Sequence, residues 1–168
     1  MELFAKEDRA TKNYSIAHVA AFNMVAALCR CWKFKYLFHD FEKLFLMLLW
    51  HDYKRVQKYH RNNNSHHLEY KGAHDYISMC IDWECSKYTK SNSQLNCTQT
   101  IVWYIKRNIP EELSVLYSDI PNYKVSSAFI DTWEIVKAAK QLGLWDKNEF
   151  DKTMKLSIDE INKLKIKQ

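Results

Sequence analysis

A chain of 168 residues that contains only two glycines and two prolines, Gly72, Gly143, Pro110 and Pro121, has few places to turn sharply. A β-sandwich or a doubly wound sheet needs more turn punctuation than that, so the reading is an all-α chain. The same shortage excludes the Walker and dinucleotide phosphate cradles, which place several glycines within a few residues. Apolar residues are 47% and charged residues 27% of the chain, which rules out disorder over most of its length. The length suits one domain, residues 1–168, with a core built without disulfide or metal staples.

The charge balance, 25 basic against 20 acidic residues or +5, suits an anionic small ligand and falls short of a nucleic-acid-binding footprint. Five cysteines, Cys29, Cys31, Cys80, Cys85 and Cys97, form no Cys-x-x-Cys pair, and their odd number favours reduced thiols and a cytoplasmic setting. Residues 1–8 reach charge before any apolar stretch develops, unlike a signal peptide. The longest apolar run, Leu44 to Trp50, is too short to cross a bilayer, so no membrane partner is expected. A homo-oligomer is left open.

Helical periodicity organises the chain. Asn13 to Cys29 lacks Asp, Glu, Lys and Arg, and its apolar residues occupy more than one face, so this helix is expected to be mostly buried, with His18 inside it. A second helix is expected from Lys35 to about Gln57, with Leu37, Phe38, Phe41, Leu44, Phe45, Leu48 and Leu49 as a wide buried stripe. Arg61 to Ser65 reads as a loop or cap, and Ala73 to Lys87 as a third helix. Further helices are expected over Thr98–Arg107, after Pro110, and over Ser126–Leu142 closed by Gly143. Ser157-Ile158-Asp159-Glu160 is a capping-box signature for a last helix striped by Ile158, Ile161 and Leu164. The segment from about 13 to 88 carries the chemistry, and 98 to 168 reads as scaffold.

All seven histidines, His18, His39, His51, His60, His66, His67 and His74, fall in the first 74 residues. Singly, each is more easily a structural histidine than a ligand. His18 differs, because a buried imidazole requires a hydrogen-bond partner or a metal. His18, the pair His39-Asp40 and the later Asp82 combine neutral imidazoles with hard carboxylates, a donor mixture for one or two divalent ions such as Mn, Fe, Co, Zn, Ni or Mg. His-Asp also occurs as His51-Asp52 and His74-Asp75, so the dipeptide alone is weak. His39-Asp40 is preferred because Lys43 follows at one helical turn and His18 precedes it on a buried helix.

The order His18, His39-Asp40-Phe41-Glu42-Lys43, Asp82 resembles the HD superfamily of metal-dependent phosphohydrolases, an all-α fold. His60-Arg61-Asn62-Asn63-Asn64-Ser65-His66-His67, followed by Asp82-Trp83, resembles more specifically a phage and bacterial family of unassigned activity within or beside that group. The resemblance covers residues 18 to about 88. It implies His18, His39, Asp40 and Asp82 as metal ligands, with His60, His66 and His67 in the interval that serves a second ion and Asp40 between the two. The Asp40–Asp82 gap is short for the superfamily, which keeps Asp75 in play as the last ligand, and one of His66 and His67 is expected to bind metal. In one branch of the superfamily the lysine of His-Asp-x-x-Lys contacts substrate phosphate, which implies Asp40 and Lys43 as catalytic residues. Around them, Lys58, Arg61 and Asn64 complete the candidate substrate contacts.

The function expected is hydrolysis of a small phosphoester, most simply a nucleotide, in the cytoplasm or, for a phage-encoded chain, in that of the host. The alternatives are a helical binding or inhibitor protein with a structural metal, and a di-iron oxygenase of the same ligand type. Trp32, Trp50, Trp83, Trp103, Trp133 and Trp145 read as core or boundary residues rather than a base-stacking platform, and Cys80 and Cys85 as core.

Overall fold

The computed structural model describes residues 12–50, 52–90, 95–108 and 126–166. The expected helix after Pro110, His51 and the first eleven residues lie outside them. Among the described residues there are eight α-helices, one 3-10 helix and no β-strand. They are α1 (Lys12–Leu28), a 3-10 turn (Phe34–Phe38), α2 (Phe41–Trp50), α3 (Tyr53–Asn63), α4 (Tyr76–Thr89), α5 (Cys97–Asn108), α6 (Ser127–Gln141), α7 (Lys147–Met154) and α8 (Ile158–Ile166).

α4 is the central helix. Nine of its residues are buried, and α1 and α6 pack along it. Phe22, Val25 and Ala26 of α1, Met79, Cys80, Ile81 and Cys85 of α4, Cys97, Ile101 and Ile105 of α5, and Ile135 and Ala139 of α6 form one apolar core. A smaller cluster of Leu95, Val102 and Ile161 anchors α8 under α5. α1 is less enclosed than the charge-free stretch Asn13 to Cys29 implies, since Ile16 and Leu28 face outward.

Local signals end the helices where the turn chemistry directs. The Ser126 side chain accepts the N–H of Phe129 at the start of α6, and Gly143 takes φ +69° just past its end, a left-handed position that favours glycine. The capping box is reciprocal: Glu160 N donates to Ser157 Oγ at 3.2 Å, and Ser157 N donates to Glu160 Oε2 at 2.7 Å.

Two departures matter. The helix expected from Lys35 to Gln57 is three pieces: His39 (φ −56°, ψ 128°) and Asp40 (φ +58°) leave the helical region before α2, and Asp52 is extended before α3. Aspartate tolerates the left-handed region better than most residues. His39-Asp40 therefore lies in the turn before α2 rather than on a helix, which aims both side chains inward. The second departure is that the stripe expected to be buried is largely outside: Leu37, Phe38, Phe41, Phe45, Leu48 and Leu49 are all exposed.

The competing His-Asp pairs have another use. Asp52 N-caps α3, accepting from Lys54 N at 2.9 Å and Arg55 N at 3.2 Å. Asp75 N-caps α4, accepting Ser78 N at 3.0 Å and Ser78 Oγ at 2.8 Å, and pairs with exposed Lys35 at 3.1 Å. Burial would raise the Asp75 pKa, but the Ser78 hydrogen bonds and Lys35 bring it below the ordinary value. Asp75→Ala should cost about 1 kcal/mol, the usual worth of an N-cap, and Asp75→Asn much less. Chemical denaturation of the two variants checks this.

Candidate metal centre

His18 reaches the centre from α1, His39 and Asp40 from the turn before α2, and Asp82 from α4. All four are buried, and one donor atom from each lies within 4.8 Å of the others. His18 Nε2 is 2.8 Å from Asp82 Oδ1 and 3.5 Å from Asp40 Oδ2. On its other side, His18 Nδ1 meets the Tyr14 hydroxyl at 3.3 Å and the Cys85 thiol at 3.5 Å. Without an ion Nε2–H donates to ionised Asp82; holding a metal there requires the proton on Nδ1, toward Tyr14, which leaves Nε2 as a lone-pair donor. Burial holds Cys85 as the thiol, raising its pKa well above the ordinary value.

A second group adjoins the first. His60 from the last turn of α3, with His66 and His67 from the loop that follows, also brings three imidazole nitrogens within 4.8 Å of one another. Asp40 links the groups: its Oδ1 is 3.1 Å from His60 Nε2, 3.3 Å from His66 Nε2 and 3.4 Å from His39 Nε2. Yet Asp40 Oδ1, His39 Nε2 and His66 Nε2 are fully buried and make no well-formed hydrogen bond. Buried polar atoms that converge without being satisfied are costly unless something else binds them. Nitrogen and carboxylate donors in this ratio fit a divalent transition-metal ion.

The electrostatics agree with that fit. Burial alone would raise the pKa of Asp40, but His39 and the Lys43 ammonium beside it, with His60 and His66 near, keep it well below the ordinary value. Asp82 behaves in the same way, held ionised against its burial by His18 and His39. Burial lowers His39 to about 4 and His67 to about 2, so both imidazoles are neutral and able to ligate near neutral pH. His60 moves upward despite its burial, because the Asp40 carboxylate lies 3.1 Å from its Nε2 and Glu42 accepts from its Nδ1.

Glu42 is the residue that the sequence reading missed. Its Oε1 receives His60 Nδ1 in a short hydrogen bond and Asn64 Nδ2 at 2.8 Å. A carboxylate on the outer nitrogen of an imidazole turns the inner nitrogen toward a metal and strengthens it as a donor. The only hint in the sequence is an acidic residue two positions after Asp40, which becomes meaningful once α3 folds back on α2.

The remaining expected residues divide. Lys43 is buried, with its Nζ 2.5 Å from Asp40 Oδ2, and lines a cavity of about 560 Å³ beside the histidines. It therefore touches the donor set itself, whereas the sequence placed it on phosphate alone. Arg61 lines the same cavity and pairs with Glu69 at 3.1 Å. Lys58 is exposed and outside the cavity wall. Asn64 turns its amide to Glu42 and to the His60 carbonyl, where it braces the dyad. Asp82, not Asp75, joins the cluster. Trp83 and Trp103 are half-buried on the cavity wall, while Trp32 and Trp133 are exposed.

No family model, curated protein or solved structure matches this chain. What the fold and donors define is an all-α protein with a buried His/Asp cluster able to hold a metal ion. No described helix is long and apolar enough to cross a membrane.

The shifted histidines make the metal-free protein sensitive to acid. His39 and His67 have lowered folded-state values, so the unfolded chain takes up more protons as pH falls below about 6.5, and their contribution to stability is lost down to about 4 for His39 and about 2 for His67. His60 has the opposite sign: its contribution is complete below its unfolded value and is lost as pH rises through the folded one. The midpoint of urea unfolding should therefore fall steadily from pH 6.5 to 4 without metal. A midpoint that is flat over that range would contradict the burial of neutral His39 and His67.

Proposed function

We propose that this chain is a metal-dependent phosphohydrolase of the HD kind, acting on a small phosphoester such as a nucleotide. The observation that carries the reading is the meeting of the His/Asp group and the three-histidine group at Asp40, beside a cavity that also holds cationic side chains. A purely structural metal site is closed by its ligands, whereas this one adjoins space for a small molecule.

A divalent ion held by His18, His39, Asp40 and Asp82 would acidify a coordinated water and polarise a phosphoryl oxygen. The chain supplies the rest. Asp40 and Asp82 provide the negative charge that a dication requires. Lys43 and Arg61 bring positive charge to the same cavity, where it can meet a phosphate and the charge that builds up on it during cleavage. Glu42 and Asn64 fix the His60 ring. Trp83 and Tyr104, with ring centroids 6.3 Å apart on the cavity wall, offer an aromatic surface to the non-phosphate part of the substrate.

The test combines metal analysis of the purified protein with hydrolysis of nucleoside mono-, tri- and cyclic phosphates in Mn, Co, Mg and Zn. Lys43→Met is the discriminating variant. It removes a cation from beside Asp40, so metal content should be retained, while turnover should drop about 10²-fold if the ammonium stabilises the transition state. A metal-loaded wild type that hydrolyses none of these compounds would defeat the hydrolase reading and favour a binding protein. Redox-active iron with oxygen consumption would favour the di-iron oxygenase.

A further inference from the structure

The apolar residues of the 3-10 turn and α2 form an outer face unrelated to the metal centre. Trp32, Phe34, Leu37, Phe38, Phe41, Phe45, Leu48 and Leu49 are each between 45% and 68% exposed. The face is continuous: Phe34 meets Phe38 edge-on at 5.8 Å, Phe38 meets Phe41 at 6.4 Å, and Phe41, Phe45, Leu48 and Leu49 follow at helical spacing along α2. Glu42 and Lys43, the two charged residues of α2, are turned to the centre and leave this face without charge. Scattered exposed apolar residues need no explanation, but a contiguous patch of this kind marks an interaction surface.

The charges around the patch identify what it meets. From residue 30 to 58 the exposed cations are Arg30, Lys33, Lys35, Lys54, Arg55 and Lys58, and the exposed acid is Asp52, which caps α3. Lys35 pairs with Asp75, while the Arg55 guanidinium lies 4.5 Å from the centroid of the Trp50 ring, which also packs edge-on against Tyr59 at 5.3 Å. An apolar stripe flanked in sequence by exposed Lys and Arg, with Arg55 stacked on Trp50 at the end of α2 and Trp50 against Tyr59, has the chemistry of a helix that lies in the surface of an anionic bilayer. A second copy fits poorly. A two-fold pairing of antiparallel α2 helices would bring Lys33 of one copy toward Lys54 and Arg55 of the other. The shortness of the Leu44–Trp50 run excludes crossing a bilayer, but lying in its interface requires only one apolar face.

We infer that the outer face of the 3-10 turn and α2 is a docking surface for negatively charged lipid bilayers. The inference does not depend on the phosphohydrolase reading.

The test is co-sedimentation of the full chain with vesicles of phosphatidylcholine alone and of phosphatidylcholine with phosphatidylserine, at low and at high salt. Binding should favour the anionic vesicles and weaken with salt. Phe45→Ser/Leu48→Ser should abolish it without changing the circular dichroism spectrum or the metal content. Lys54→Gln/Arg55→Gln should weaken it about fivefold for each charge removed. Three results would overturn the inference: no binding to anionic vesicles at low salt, equal binding by the Phe45→Ser/Leu48→Ser protein, or a dimer in sedimentation equilibrium that this variant dissociates.

Discussion

Asp40→Asn should empty the metal centre, lowering metal affinity by more than about 10²-fold and reducing any metal-dependent turnover to background. Asparagine is the chosen replacement because it also tolerates the left-handed backbone at φ +58°, so the loss reports on the carboxylate rather than on the turn. The cause is geometric as much as electrostatic. Oδ1 faces His39, His60 and His66 while Oδ2 faces His18 and Lys43, so removing the charge affects both groups of donors. The variant also leaves Lys43 buried without its counterion, which for a broken buried pair costs about 3–5 kcal/mol. Asp40→Asn/Lys43→Met removes that penalty and should recover stability while still failing to bind metal. Asp52→Asn, in which asparagine caps as well as aspartate, should leave metal content unchanged. Equal metal loss from Asp40→Asn and Asp52→Asn would mean that the cluster around Asp40 is not the binding site. Inductively coupled plasma mass spectrometry on dialysed protein measures this directly.

The second large effect is expected at Glu42. Glu42→Gln keeps the shape of the side chain but removes the charge that holds His60, and metal affinity at the three-histidine group should fall about 10–100-fold, the usual cost of losing an outer carboxylate–histidine contact. The four-donor group around His18 and Asp82 does not include Glu42 and should keep its ion. Native mass spectrometry over a metal titration would then show one tight step where the wild type shows two. An unchanged titration would make Glu42 a structural partner of His60 and nothing more. The same substitution should lower the pKa of His60, since the Glu42 hydrogen bond and charge are two of the causes that raise it. The proton released when metal displaces it would be smaller near neutral pH. Calorimetry in buffers of different ionisation enthalpy reads that release.

The residues of the centre were legible in the sequence because they are rare types in a constrained order. An imidazole in the charge-free stretch Asn13 to Cys29, a His-Asp pair followed by Lys43, and an acid on the largely buried α4 must each be satisfied, and in an all-α chain they can satisfy one another. Glu42 and Asn64 were not legible in the same way. Their role depends on α3 folding back on α2, a relation between two elements that the residues of neither one record.

Local chemistry belongs to the sequence alone: the scarcity of glycine and proline that makes the chain helical, the Ser157–Glu160 box that starts α8, and Gly143 that ends α6 act over four or five residues and need no tertiary partner. Tertiary structure decided everything that concerns sides. Periodicity marks Leu37 to Leu49 as a stripe but carries no record of what the stripe faces, and in the fold α2 turns Glu42 and Lys43 to the centre and its phenylalanines to solvent. The break at Asp40 is decided at the same level. A left-handed aspartate is locally unfavourable, and it is held there because its carboxylate meets four imidazoles and an ammonium only when α1, α3 and the loop after α3 have already packed around it. The three His-Asp pairs are equivalent as dipeptides and differ only in what the packed chain places beside each aspartate: Asp52 and Asp75 receive backbone N–H groups, and Asp40 receives the imidazoles.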